Sequence, residues 1–436
     1  MELNRRDLLF KCMALGVVRL GTGLSHASAV EAWLKAENAA ASTTLNLTSS
    51  VDYLDATARE PMIVEHPDGT LFVSGYGDTA SGTPQTVPRL WKSSDHGATW
   101  SAVKVGTEVD GAIGNSDVDL AIARDGILYF VSMGYDGKTN EGTHIAVGVS
   151  GDVGNTWHWT MLSHKRFDDR PWVAVVPDGT AHVIWNNDSG VYHTMSRDRG
   201  VTWSTAQTIH PQGGSSHFAV GPSGELAVRI VPLSASGNRF NEGVELVAVS
   251  TDSGTTWQKR SVPGQRIWVL AEGATPRWVE PVAWDARGHL YLLWTEVSGV
   301  WLAKSLDRGA TWSKWRVAEY EGDTLSYFPY LTARGAGELA ATWFSGAGES
   351  LHWQVCKIQT GDLSAPPQLI RSAQLRTDSW RANWVSGGGP VRSTAGEYLP
   401  VLFLRNGDLA VVTPIQNKEM NHYGFSFWRF KGQSPR

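Results

Sequence analysis

Six side chains in this sequence could move protons or grip an anion: Arg59, Glu60, Asp117, Asp169, Arg170 and Glu280. Each stands one or two positions before a proline, or a residue in its place, that opens a short apolar run; Tyr327 stands likewise before Pro329. Carboxylates placed together can donate and accept protons in general acid/base work. Guanidiniums can clamp a carboxylate through two parallel hydrogen bonds. Trp172 and Trp278, close by in sequence, add flat apolar faces that suit a sugar ring. Asp119, Asp168 and His217 flank the same set. The four carboxylates could instead hold a hard cation such as calcium, or anchor the fold through salt links. That cation is the weaker reading. The histidines are scattered without a Cys–His cluster, so neither a metal nor a cofactor is expected.

These residues lie far apart along the chain, so a regular framework has to bring them together. The octapeptide Ser-x-Asp-x-Gly-x-Thr-Trp occurs five times, at Ser93–Trp100, Ser150–Trp157, Ser196–Trp203, Ser250–Trp257 and Ser305–Trp312. Its Asp can accept backbone N–H groups across a turn, its Gly supplies a left-handed backbone angle, and its Trp serves as an apolar plug between strands. The motif therefore reads as a hairpin staple. It lacks the alternating acidic ligands of a calcium loop.

A second element alternates with the staples: a Pro or substitute, seven or so residues, then Gly and an apolar strand. It runs from Pro61…Gly69 through Val118…Gly126, Pro171…Gly179, Ser216…Gly224, Pro281…Gly288 and Pro329…Gly337 to Pro390…Gly396. A repeat of fifty-odd residues with about four short strands is the signature of a propeller blade. The expectation is an all-β fold: one β-propeller of four-stranded antiparallel blades, seven of them, with six as the alternative. Ring closure should pair a strand within residues 44–54 with Gly424–Phe430. The residues before each Pro-like position should then line one central funnel, with Gly388 and Gly389 in the last unit.

Composition excludes other classes. The chain has 436 residues, a net charge of −5 and no basic runs, which argues against nucleic-acid binding as its main role. Two cysteines cannot build a disulfide framework. At the N-terminus, Arg5-Arg6 precede an apolar stretch from Cys12 to Leu24, followed by Ala27-Ser28-Ala29. This resembles a twin-arginine export signal with a small-residue cleavage site. The expected organisation is a signal peptide over 1–29, a linker over 30–50 and the propeller over 51–436. The expected location is periplasmic or secreted, with no membrane attachment once the signal is removed.

The five octapeptides resemble the Asp-boxes of the sialidase superfamily, the BNR-repeat proteins, whose fold is a β-propeller. The resemblance implies a glycoside hydrolase in which arginines clamp the substrate carboxylate, a Tyr activated by a Glu attacks the anomeric carbon, and an Asp is the acid/base. Carried onto this chain, Arg59 in Arg59-Glu60-Pro61 is the first clamp arginine, Glu280 the activating carboxylate, Tyr327 the nucleophile and Asp78 the acid. The strand after Glu280 has no arginine, and the Tyr unit follows the Glu unit directly. Arg170, Arg277, Arg376 or Arg381 would have to complete the clamp. Two readings stay open: an exported sialidase-like glycoside hydrolase acting on a glycan in the funnel, or an exported propeller that binds a glycan, another small molecule or a protein partner there without chemistry.

Overall fold

In a computed structural model the described residues are 44–77, 85–139, 141–211, 213–231, 233–234, 239–240, 243–263, 267–268, 281–296, 299–321, 325–347, 350–363, 365–375, 382–383, 392–393, 398–417 and 422–432. Residues from Leu45 onward form one compact unit.

Among the described residues the strands assemble into seven four- or five-stranded antiparallel sheets arranged as a seven-bladed β-propeller, with three two-stranded ribbons beside them: Leu233–Ser234 with Arg239–Phe240, Gly243–Val244 with Ile267–Trp268, and Ala382–Asn383 with Arg392–Ser393. Blade 1 contains Arg59–Glu65, Leu71–Tyr76, Arg89–Ser93 and Ser101–Ala102; blade 2 contains Ser116–Ile122, Leu128–Asp136, Glu141–Ser150 and His158–Ser163. Blade 3 runs Asp169–Val175, Ala181–Asn187, Gly190–Ser196 and Gln207–His210. In blade 4 the innermost strand is split into Gly214–Ser215 and Ala219–Val220, both paired with Leu226–Val231, and Leu246–Ser250 and Gln258–Ser261 follow. Blade 5 has Val282–Trp284, Leu290–Glu296, Gly299–Ser305 and Ser313–Glu319; blade 6 has Leu325–Arg334, Glu338–Ala347, Ser350–Gln359 and Gln368–Leu375. In blade 7, Val401–Phe403, Leu409–Asn417 and His422–Phe430 are joined by Leu47–Leu54 from the start of the chain. That last pairing, with Val51 opposite Phe427, closes the ring where the sequence places it.

Central strands are buried on both faces because each sheet is covered by its two neighbours. Leu226–Val231 is buried at every position. Apolar clusters fill the spaces between successive blades, such as Phe72 with Phe130, Val131 with Val183, and Tyr291 with Leu339. Between blades 7 and 1, Trp91 and Trp100 pack against Phe425 at centroid distances of 5.3 and 5.1 Å.

Every innermost hairpin turns on a left-handed glycine: Gly69, Gly126, Gly179, Gly224, Gly288, Gly337 and Gly407, with φ between +77° and +93°. The seventh corrects the sequence reading. Pro390…Gly396 is not the last unit; the inner strand of blade 7 begins at Val401, and Pro400…Gly407 repeats the pattern.

The octapeptides join the third and fourth strands of blades 1–5. In each, the Asp carboxylate accepts the Ser hydroxyl, the Thr backbone N–H and the Thr hydroxyl, as at Asp95 (2.8, 2.8 and 2.6 Å). The Ser hydroxyl in turn accepts the Gly N–H, 2.8 Å at Gly97. These donors hold the Asp95, Asp198 and Asp307 carboxyls down at about 2, the Thr hydroxyl contributing most. The Trp plug reaches further than a single hairpin: four of the five contact the preceding blade. Trp100 packs on Phe427, Trp203 on Tyr129 and Trp257 on His193, and Trp312 donates to the Ser261 carbonyl at 3.0 Å.

Candidate functional site

The inner strands of blades 1, 3 and 6 open with the same distortion. Glu60, Arg170 and Phe328, each preceding a proline, have φ of +46°, and the pairing register slips between Arg59 and Met62, Asp169 and Trp172, and Tyr327 and Tyr330. A left-handed non-glycine costs roughly 1–3 kcal/mol and persists where the surroundings over-determine it. A bulge also re-aims side chains, so that two successive residues serve one end of the strand. Arg59 with Glu60, and Asp169 with Arg170, are thereby both delivered to the funnel mouth. Blade 2 slips between Ser116 and Val118 and adds Asp117.

Glu60, Asp117 and Arg170 are buried at this mouth. Tyr76 Oη donates to Glu60 Oε2 at 2.9 Å, and the Arg59 guanidinium lies 5.2 Å from the Tyr76 ring centre. Tyr398, just ahead of the blade 7 inner strand, donates its hydroxyl to Asp117 Oδ2 at 3.2 Å. Arg170 Nη1 is 3.2 Å from Asp169 Oδ2. These groups form one electrostatic unit. Burial, followed by the Asp117 and Glu60 charges, raises the Tyr398 hydroxyl well above its usual value against the pull of Arg170. Burial, followed by Glu60, does the same to Tyr76 against Arg59. Burial raises Asp169 to about 6; Arg170 opposes this, while Asp117 and Asp168 reinforce it. Asp168 is raised by burial although it accepts the Lys165 N–H and the Asn187 amide.

The floor of the funnel is aromatic. Trp172 is fully buried, with its ring 4.8 Å from Tyr398 and 6.1 Å from His217, and its indole N–H donates to the Ser215 carbonyl at 3.2 Å. His217 of blade 4 stacks on Tyr330 of blade 6 at 4.8 Å and 11°, linking the two blades that flank blade 5. Burial lowers His217 to about 4, keeping it neutral. Beside this stack runs a cavity of about 250 Å³ lined by the inner strands of all seven blades, from Met62 in blade 1 to Val401 in blade 7. Asp119 faces it, accepting the N–H groups of Val173 (2.9 Å) and Leu120 (2.8 Å), and burial raises it to about 7.

Arg59, Glu60, Asp117, Asp169, Arg170 and Trp172 therefore converge as the repeat requires. Asp78, Glu280 and Trp278 lie outside the described residues, as do Arg277, Arg376, Arg381, Gly388 and Gly389. Tyr327 pairs with Phe344 through its backbone, and its side chain lies outside the described part. Tyr76, Tyr330 and Tyr398 are the additions that sequence reasoning missed. The signal for Tyr398 was present, two residues before Pro400 in the true seventh unit. Among the described residues no group of three or more His, Cys, Asp or Glu side chains is arranged to hold a metal ion, so the calcium reading gains no support there.

No protein-family model matches the sequence, and no curated protein matches it. Solved structures do. The polysaccharide lyase Uly1 is similar over 89% of this chain and 100% of its own, with a TM-score of 0.53 and 10% identity. The K499G mutant of the NanB sialidase from Streptococcus pneumoniae covers 89% and 98%, with a TM-score of 0.44 and 10% identity. The GH93 α-L-arabinofuranosidase of Fusarium graminearum, solved with arabinobiose, covers 88% and 97%, with a TM-score of 0.45 and 13% identity. At such identities the likeness is one of fold.

Proposed function

We propose that this chain is an exported glycoside hydrolase that cleaves a glycan in the funnel, with Tyr398, Asp117 and Asp169 as its reacting groups. The observation that carries the reading is the Tyr398–Asp117 hydrogen bond of 3.2 Å above the Trp172 ring. In the reaction, Tyr398 Oη attacks the anomeric carbon and passes its proton to Asp117 as the bond to the leaving oxygen breaks. Asp169, raised to about 6 and so partly protonated in mild acid, gives that oxygen its proton. Water, deprotonated by Asp169, then displaces Tyr398, which recovers its proton from Asp117; two displacements retain the anomeric configuration. Tyr398 takes the role that the family resemblance gave to Tyr327, and Asp169 the role given to Asp78. Similarity in fold to carbohydrate-active propellers agrees with this reading.

The test is turnover of chromogenic glycosides by the purified protein. Tyr398→Phe should reduce kcat by about 10³-fold or more with the fold intact, since the other groups cannot replace a covalent path. Undiminished turnover would remove Tyr398 from the chemistry. The second reading, a propeller that binds a glycan without cleaving it, is favoured by burial, since Tyr398 is only 4% exposed. Under it the wild-type protein binds oligosaccharide and releases no product. Export belongs to the same proposal: N-terminal sequencing of protein recovered from outside the cytoplasm should begin at Val30.

A further inference from the structure

We propose that the end of the propeller axis opposite the mouth is a second binding site, and that it takes a small organic acid with an apolar body and one carboxylate. The inference stands apart from the glycan reading of the mouth and survives the failure of that reading.

The inner strands run from the mouth to the hairpins that turn on the seven left-handed glycines, so those hairpins ring the far end of the axis. All seven are described in full. The hairpins of blades 2–6 enclose a cavity of about 320 Å³, within the usual size range of small-molecule pockets. Four residues before the glycine, its lining is an apolar ring of Ile122, Val175, Val220, Trp284 and Ala333. Val220, Trp284 and Ala333 also border the axial cavity, so an apolar body can extend along the axis. Two residues before the glycine, blades 3–6 have proline, alanine or glycine, and blade 2 has Arg124.

Arg124 is exposed and makes no hydrogen bond or ion pair among the described residues. Arg334 of blade 6 is the second guanidinium of the lining. Its Nε and Nη2 hold Glu338 at 2.8 and 2.9 Å, and its guanidinium lies 4.4 Å from the Phe403 ring centre, with Nη1 outside the pairing. Glu338 also takes Lys357. Asp285 is the one acidic residue of the lining, and its carboxylate is fully buried. One oxygen accepts the Arg287 and His289 N–H groups at 2.9 and 3.0 Å, and the other accepts the Tyr291 hydroxyl at 2.9 Å. The other carboxylates of these hairpins are engaged too: Asp125 by Arg199 at 2.9 Å, Asp178 by the Thr180 N–H at 2.8 Å, and Glu225 by the Ser223 N–H at 2.9 Å.

An apolar ring beside a guanidinium without a partner selects a ligand that has both complements. An aryl or alkyl body removes the ring from water, and a carboxylate takes two parallel hydrogen bonds from Arg124. A sugar, polar all round, gains little from the ring, and an inorganic anion does not fill it.

The experiment titrates the whole protein with benzoate, 3-phenylpropionate and the amide of each, with acetate and inorganic phosphate beside them. Dissociation constants are read by saturation-transfer NMR on the ligand. The two aryl acids are expected to bind about tenfold or more tightly than their amides, the effect of a hydrogen bond to a charged group, and more tightly than acetate or phosphate. Arg124→Gln should weaken the acids about tenfold and leave the amides unchanged. Ala286→Trp should weaken acid and amide alike by obstructing the cavity. Both positions are exposed, so the fold tolerates these changes. Arg59→Gln at the mouth should alter neither. An acid that loses affinity with Arg59→Gln and keeps it with Arg124→Gln sits at the mouth and overturns the inference. Equal binding of acid and amide, or no binding of either aryl acid up to about 10 mM, overturns it as well.

Discussion

The staple glycine Gly97 offers a test of how blades are held, because the inner-hairpin Gly179 shares its backbone angle but not its surroundings. Gly97 has φ +91° and Gly179 φ +90°. A Cβ on Gly179 would meet nothing within 4 Å, whereas one on Gly97 would lie 2.1 Å from Phe427 Cε1 and 2.6 Å from Cδ1. Alanine at either position carries the left-handed penalty of about 1–2 kcal/mol. At Gly97 the Phe427 ring must also move, and that ring is fully buried and packed against Trp100 at 5.4 Å. Forcing extra atoms into a filled core costs about 1–3 kcal/mol more. Gly97→Ala should therefore lose about 2–5 kcal/mol and Gly179→Ala about 1–2 kcal/mol. Equilibrium urea unfolding at constant m-value measures the difference. Gly254→Ala, whose Cβ would lie 2.6 Å from His193, should follow Gly97. If the three variants agree within about 0.5 kcal/mol, roughly the scatter of neutral surface changes, the claim that staples lock each blade to the one before is wrong.

Acid should loosen the contact between blades 3 and 4. His182 Nδ1 and His193 Nε2 are 3.0 Å apart in a buried stack, and burial lowers the two to about 4 and 3. The folded state stays unprotonated while the unfolded chain takes up protons below about 6.5, so stability falls as pH drops from 6.5 towards 4, by about 3 kcal/mol from His182 alone. A urea midpoint unchanged between pH 7 and pH 4 would refute this. Asp119 has the opposite sign: raised to about 7, it costs stability as pH climbs from about 4 to 7. Asp119→Asn should gain on the wild type by about 3 kcal/mol between pH 5 and pH 8, and a constant difference would count against the burial argument. Deleting residues through Leu54 removes the fourth strand of blade 7 and bares the His422–Phe430 edge, whereas deletion through residue 43 spares it. The shorter chain should aggregate or lose its cooperative transition; equal melting of the two would show that ring closure contributes nothing.

Local chemistry made much of this molecule readable in one dimension. The hydrogen bonds of the octapeptide's Asp and Ser side chains fall within eight residues, and the glycines of the inner hairpins answer a purely backbone demand, so both are fixed by sequence order alone. Those signals yielded the blade type, the ring and its closing strand, and the positions ahead of each Pro-like residue picked out Arg59, Glu60, Asp117, Asp169 and Arg170, with Trp172 beside them just after Pro171. The seventh unit was misplaced because no staple marks it, leaving Pro390 and Pro400 as rival starts. The tertiary structure alone decided what those side chains meet. Tyr398 and Asp117 are 281 positions apart and touch only because the ring brings blades 7 and 2 to one axis. His217 of blade 4 and Tyr330 of blade 6 stack for the same reason. Partnership, burial and the resulting shifts in proton affinity depend on distances through space, which a sequence repeat can imply for the backbone but cannot supply for each pair of side chains.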